Sequence, residues 1–256
     1  MRMRKKLWAE PELADCDYFI KEPKVHRGHW QEAFAARRPI YLDLGCGKGV
    51  FLAQSADEAP AVNWIGIDIS PDILGVARRR IHERFQGEQP GNLLFFRYNI
   101  EALQEVFSKA DGIARIYINF CNPWPTSRGH KRRLTHTRQL ETYRQFLKPG
   151  GEIWFKTDDQ DLYIATRRYF REMGIETIAE TTDLHQAGWT ENIQTEHEVM
   201  FTERGEKIKA IRGRWQGESD ERKASVGGIE SAQGERDSFQ QENGEHEHHD
   251  DAADAV

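Results

Sequence analysis

Between residues 40 and 212, short apolar runs alternate with segments whose apolar positions recur at helical spacing. Residues 40–44 predict a strand that ends in glycines, and residues 51–56 a helix. Residues 64–69 predict a second strand. Ser70-Pro71-Asp72 then opens a helix, with Ser as N-cap, Pro in the first turn and an acid at the positive end. Residues 93–98 and 115–121 predict the next two strands, with helices over 101–107 and 135–147. Lys148-Pro149-Gly150-Gly151 predicts a turn into a fifth strand at 152–156. Asp158 is expected to cap a helix whose apolar face is Leu162, Ala165, Tyr169 and Met173, stopped at Gly174. Further β segments are expected at 176–182, 198–202 and 207–212, the last reached through Arg204-Gly205. Repeated strand–helix units imply an α/β fold, a parallel sheet covered on both faces. The closing hairpin adds an antiparallel edge.

Composition changes the picture mainly at the ends. Residues 217–256 hold 12 acidic and 3 basic side chains, leaving a body with 33 basic and 30 acidic ones, a net of +3 beside an overall −6. The tail carries almost no large apolar residues and is expected to be disordered. Its His246, His248 and His249 read as part of a solvated acidic segment rather than a metal site. The first 36 residues read as a basic extension with freedom to flex. No run of about 18 apolar residues offers a membrane span. Met1-Arg2-Met3-Arg4-Lys5-Lys6 is not followed by the apolar stretch of a signal peptide, so a cytoplasmic protein is expected. Cys16, Cys46 and Cys121 form no C-x-x-C pattern, and no metal is expected.

The candidate chemistry begins at Asp43-Leu44-Gly45-Cys46-Gly47-Lys48-Gly49, where the first strand meets the first helix. Gly45 and Gly47 let the backbone approach a ligand, and the helix start offers free N–H groups. Ligands of such sheets bind at the carboxyl ends of the strands. Asp68, at the end of the second strand, can accept hydrogen bonds from both hydroxyls of a ribose. That geometry suits NAD and S-adenosylmethionine equally, and a tight structural turn with an exposed carboxylate is the plainer alternative. Asn99 follows the third strand and can meet an adenine edge.

Several motifs in register narrow the choice. Met1-Arg2-Met3-Arg4, Asn119-Phe120-Cys121-Asn122-Pro123-Trp124-Pro125, Lys131-Arg132-Arg133-Leu134, Phe155-Lys156-Thr157-Asp158 and Thr195-Glu196-His197-Glu198 resemble, in order, the bacterial tRNA (guanine-N7)-methyltransferase family. The resemblance runs from Met1 to about Trp215. It implies a Rossmann-like class I methyltransferase domain over residues 1–216, with a mostly parallel seven-stranded sheet and one antiparallel strand near the C-terminal edge. It implies S-adenosylmethionine as cofactor, held by Asp43, Gly45, Gly47, Asp68, Asn99 and Asn122, with Asn122 at the reacting end. It implies tRNA as partner, contacted by Thr126, Arg128, Lys131, Arg132, Arg133, Asp158, Thr195, Glu196, His197 and Glu198. The atom methylated would be N7 of a guanine, the variable-loop guanosine 46. Independently, four cations at a loop-and-helix start suit RNA phosphates.

The chain departs from the family where Asp is usual at Asn122, Lys at Thr126 and His at Gly129; at Asn99, Asp is also common. Two other readings therefore stand beside the enzyme. One is a paralogue that binds tRNA and S-adenosylmethionine with little turnover. The other is an exocyclic-amine methyltransferase, because Asn122-Pro-Trp-Pro distantly echoes an Asn-Pro-Pro-aromatic motif. An NAD dehydrogenase fits Asp43 and Lys148-Pro149-Gly150-Gly151 poorly.

Overall fold

A computed structural model of the chain describes residues 5–217. Residues 1–4 and the acidic tail from residue 218, with its three histidines and its expected disorder, lie outside the described residues.

Seven strands form one sheet in the order β3-β2-β1-β4-β5-β7-β6. β1 (Ile40–Leu44), β2 (Asn63–Asp68), β3 (Leu93–Arg97), β4 (Ile113–Asn119) and β5 (Leu147–Thr157) run parallel. β7 (Lys209–Arg214) lies antiparallel between β5 and β6 (Glu176–Thr181). The expected mostly parallel sheet with one antiparallel strand near its C-terminal edge is therefore present. Strand order reverses between β1 and β4, which opens a crevice at their carboxyl ends. β1, β2 and β3 are almost wholly buried, as continuous apolar runs require when both faces are covered.

α2 (Val50–Glu58) and α3 (Pro71–Arg84) follow β1 and β2. Gly49 caps α2 in the left-handed region, at φ 73°, and a Cβ there would stand 2.8 Å from Ala77 Cβ of α3. Ser70 caps α3 by accepting from Ile73 N–H, as expected. α4 (Thr137–Arg144) and α5 (Gln160–Glu172) follow β4 and β5.

Four local expectations are corrected. Asp159, not Asp158, caps α5, its Oδ1 accepting from Leu162 N–H at 2.6 Å. Residues 101–107 form a 3-10 turn, Ile100–Glu105, rather than an α-helix. The Lys148–Gly151 turn lies within β5, where Gly150 N–H and Trp215 N–H bond across to Trp215 and Gly151 carbonyls. Residues 198–202 belong to a helix, α7 (Glu196–Glu203), so β6 and β7 are not a simple hairpin. The β-prone Val199, Phe201 and Thr202 are overridden by a capping box, in which Thr195 and Glu198 satisfy each other's backbone N–H.

The described part of the extension is fastened down rather than free. α1 (Ala9–Ala14) meets α3 so closely that a Cβ on Gly75 would lie 2.5 Å from Ala9 Cβ. Trp8 carries the Arg79 guanidinium 3.4 Å from its ring, and Glu12 accepts from Arg79 Nε at 2.9 Å. Ile20 N–H donates to Phe95 O and Phe95 N–H to Tyr18 O, so this segment covers the β3 edge. Trp30 is fully buried and its Nε1 donates to Val106 O.

Candidate cofactor and nucleoside site

The carboxyl ends of β1, β2 and β4 open into two adjoining cavities. The first, of about 360 Å³, is walled by Gly45, Asp68, Ile69, Asn99, Asn119, Phe120, Asn122, Trp124 and Arg132 among others. The second, of about 220 Å³, lies over the glycine loop and is closed by Asp43, Lys48, Thr195, Glu196 and His197. Gly45, Asn119 and Phe120 line both.

Gly45 and Gly47 take φ of 81° and 54°, a conformation that side chains rarely adopt, and this lets the loop turn back beneath β2. Gly45 and Cys46 N–H groups both donate to Ile67 O. Asp68 accepts from Gly47 N–H at 3.2 Å and from Ser70 N–H at 2.9 Å, which aims its carboxylate at the first cavity from a fixed position. Its remaining lone pairs are available to hydroxyl donors. Asn99 caps the following 3-10 turn by accepting from Glu101 N–H at 3.0 Å.

Asp43 is 2% exposed. Burial first, and the neighbouring Asp68 second, push its carboxyl up to about 7, against the pull of Asn119 and Lys156. A cation bound in front of it would relieve that cost. Asn119, to which the sequence reading gave no role, stands beside it where the two cavities join. Neither its Nδ2 nor its Oδ1 has a well-formed hydrogen bond, though both atoms are buried. Its side chain faces the Asp43 carboxyl, on which it acts as a hydrogen-bond partner, and buried amides are normally fully satisfied, so its incomplete bonding fits a polar ligand. An adenosine with a cationic amino-acid end meets all three features: hydroxyls for Asp68, positive charge for Asp43, and donors and acceptors for Asn119.

Asn122 is exposed at the mouth of the first cavity, and its Oδ1 accepts from Trp124 N–H at 2.9 Å. That closes a turn in which Trp124 has φ 44°. Arg133, expected to meet RNA, is buried instead, its Nε donating to Pro123 O at 2.7 Å to hold the same turn. Arg132 lays its guanidinium 3.9 Å from the Trp124 ring. Thr126, Arg128, Lys131 and Arg132 are exposed around the 3-10 turn Ser127–Arg132, leaving a basic surface beside the opening.

On the other side, Glu196 sits 3.5 Å from Lys48, and the His197 ring stacks on Phe120 at 5.6 Å. Phe120 itself has φ 52°, an uncommon conformation for an aromatic residue. Glu198 points away from the opening, at 0% exposure, and is paired with Lys156; Thr195 is spent on the cap. Asp158 follows β5 at the same edge but lines neither cavity, and its backbone carbonyl accepts from Lys209 Nζ. The sequence reading missed Asn119, Phe120 and Trp124. Their signal was position alone: they surround Asn122 in one motif at the end of β4.

A family of putative methyltransferases matches residues 37–211. A tRNA (guanine-N(7)-)-methyltransferase of Clostridium beijerinckii is 50% identical over 213 residues, covering 82% of this chain and 97% of that protein. One from Clostridium perfringens is 47% identical over 214 residues, with 82% and 98% covered. The chain belongs to the bacterial tRNA (guanine-N7)-methyltransferase family. The fold also resembles the crystal structure of the 16S rRNA methyltransferase KamB, with a TM-score of 0.51 at 13% identity over 70% of this chain and 88% of that one. Membership agrees with the arrangement already described: an acid at the end of β2, a Pro-Trp-Pro turn after β4 and a basic surface beside it. No helix among the described residues is long and apolar enough to cross a membrane.

Proposed function

We propose that this chain transfers the methyl group of S-adenosylmethionine to N7 of a guanine in tRNA. The observation that carries the reading is the joint of the two cavities at Asn119 and Phe120, with Asp68 and Asn99 lining the first cavity and the basic surface of Arg128, Lys131 and Arg132 beside its mouth. The two relatives described above match along 97% and 98% of their length.

S-adenosylmethionine supplies, when bound, a methyl carbon on a sulfonium, which the N7 lone pair attacks as the carbon–sulfur bond breaks and its electron pair stays on sulfur. N7 carries no proton, so no residue of the chain has to act as a base. The protein's work is alignment and placed polarity. Asp68 fixes the ribose end. Asp43 and Asn119 face the cationic end, and Asn122 stands at the opening, where the purine gains the positive charge. Arg128, Lys131 and Arg132 hold RNA phosphates and so set which nucleotide enters.

The test is methyl transfer from labelled S-adenosylmethionine to an unmodified tRNA, with the product nucleoside identified. The expected product is 7-methylguanosine, mapped to the variable loop. An exocyclic-amine product, or none, would remove this reading.

A further inference from the structure

One face of the sheet carries an alternating ladder of rings and guanidinium groups. Tyr41 of β1 is paired in register with Arg115 of β4, whose guanidinium lies 4.7 Å from the Tyr41 ring and 3.9 Å from Trp154 of β5. Trp154 is paired in register with Arg212 of β7, 3.7 Å from its ring. The Arg212 guanidinium is also 4.3 Å from Trp189, which belongs to no strand. The ladder therefore leaves the sheet at its last rung and captures the loop between α6 (Leu184–Ala187) and α7.

That loop is fastened at three further points. Arg212 Nη1 pairs with Glu191 at 2.6 Å. Lys156 Nζ donates to Ile193 O at 2.8 Å, and Asn192 Nδ2 to Glu198 Oε1 at 2.6 Å. The space left between loop and sheet is only about 10 Å³. Two residues past Ile193 the chain reaches Thr195, then Glu196 and His197, which wall the second cavity. Nothing from the loop or α7 lines the first cavity, where Asp68 and Asn99 stand.

We propose that Arg212, clasped between Trp154 and Trp189, is a positioning residue that sets the Thr195–His197 wall, and through the stack of His197 on Phe120 the joint of the two cavities that the incoming nucleoside must reach. It touches neither cofactor nor substrate. Stacking on two indoles uses the planar guanidinium, while the pair with Glu191 needs only charge. The wall is thus held by shape as much as by charge. The inference rests on the methyl-transfer reading above.

The test compares Arg212→Ala, Trp189→Ala and Trp189→Phe with wild type. Measured quantities are kcat and KM for tRNA, the calorimetric Kd of S-adenosylmethionine, and cleavage by a glutamate-specific protease at Glu191. Arg212→Ala and Trp189→Ala should raise the tRNA KM about tenfold or more, with smaller changes in kcat. Cofactor Kd should stay within about threefold, because Asp68 and Asn99 stand in the cavity that holds no residue from the loop, and Asp43, though it shares the second cavity with the wall, is fixed within β1. Cleavage at Glu191 should accelerate relative to wild type, with cleavage at every other site unchanged. Trp189→Phe keeps a ring under the guanidinium and should restore KM to within about threefold of wild type. An unchanged KM in both alanine variants overturns the proposal. So does a cofactor Kd that weakens as much as KM, or a Phe variant no better than Ala. If Arg212→Ala does not fold, the Trp189 pair decides alone. Failure of wild type to form 7-methylguanosine would count against the reaction assigned, whereas these outcomes concern the variant-to-wild-type ratio and the protease pattern.

Discussion

Lys156 Nζ lies 3.0 Å from Glu198 Oε2 beneath the wall of the second cavity, with both side chains buried. Lys156 is the residue under strain of burial: desolvation lowers its pKa, and Glu198 is the chief opposing influence. Removing one member of a buried pair leaves the other unpaired, at a cost of about 3–5 kcal/mol. Glu198→Ala should therefore lower unfolding free energy by that order, read from denaturant midpoints. Glu198→Gln, which still accepts and donates, should cost less. A Glu198→Ala protein with wild-type stability and an impaired tRNA KM would show instead that Glu198 meets substrate directly.

Asp43 gives a pH dependence with a definite sign. Burial and the neighbouring Asp68 push its carboxyl up to about 7, above the ordinary carboxylate range of about 4. The stability it contributes as a neutral group is present below that range and is lost as pH rises through 7. A cationic ligand end favours the ionised form, so S-adenosylmethionine should release a proton on binding between about pH 5 and 7 and bind more tightly as pH rises through 7. Calorimetry in buffers of different ionisation heat measures that proton. Asp43→Asn should abolish the release, and a wild-type protein that releases none would contradict the placement of the cationic end.

Asp68→Ala should remove measurable S-adenosylmethionine binding. The variant loses the acceptor for the ribose hydroxyls, each bond to a charged group being worth about 1.5–3 kcal/mol. It also leaves the Gly47 and Ser70 N–H groups without the carboxylate that now holds them. Circular dichroism should show the fold retained. Calorimetric affinity equal to wild type would sink the assignment of this cavity to the cofactor.

The strands around the crevice were legible because their signals are local: a buried run from Trp64 ends at the acid Asp68, and a glycine loop follows 40–44. Ser70 and Pro71 marked the start of α3 for the same reason. What escaped depended on partners distant in sequence. Arg133 reads as one more cation in a basic run until the fold brings Pro123 O within 2.7 Å. Glu198 reads as a substrate acid until Lys156, 42 residues earlier, closes on it. The α7 capping box is an exception, since Thr195-x-x-Glu198 was readable and β propensity outweighed it. Asn119 could not be singled out from its neighbours, because a buried amide facing Asp43 exists only once β1 and β4 have paired.

Asn122 stands where the family usually has Asp, and the structure shows what each side chain would do there. Its Oδ1 closes the turn to Trp124 N–H, a role that a carboxylate fills equally well. Asn122→Asp therefore keeps the turn and adds a negative charge at the mouth of the cavity, where positive charge moves onto the purine. One charge at about 4 Å can contribute up to a few kcal/mol at an effective dielectric of about 20, so turnover on tRNA should rise. Asn122→Ala frees Trp124 N–H, loosens the turn and should lower turnover. The neighbouring departure at Gly129 is less easily reversed, because a Cβ there would stand 3.2 Å from Trp124 Cβ and 3.3 Å from Thr126 Oγ1. Restoring one position alone should therefore recover only part of any missing rate. Steady-state kinetics of the three proteins on one unmodified tRNA separate the cases. An inactive wild type revived by Asn122→Asp would favour a tRNA-binding paralogue with a silenced site. An active wild type indifferent to both substitutions would remove Asn122 from the reacting end and leave Asn119 as the polar group nearest the joint of the two cavities.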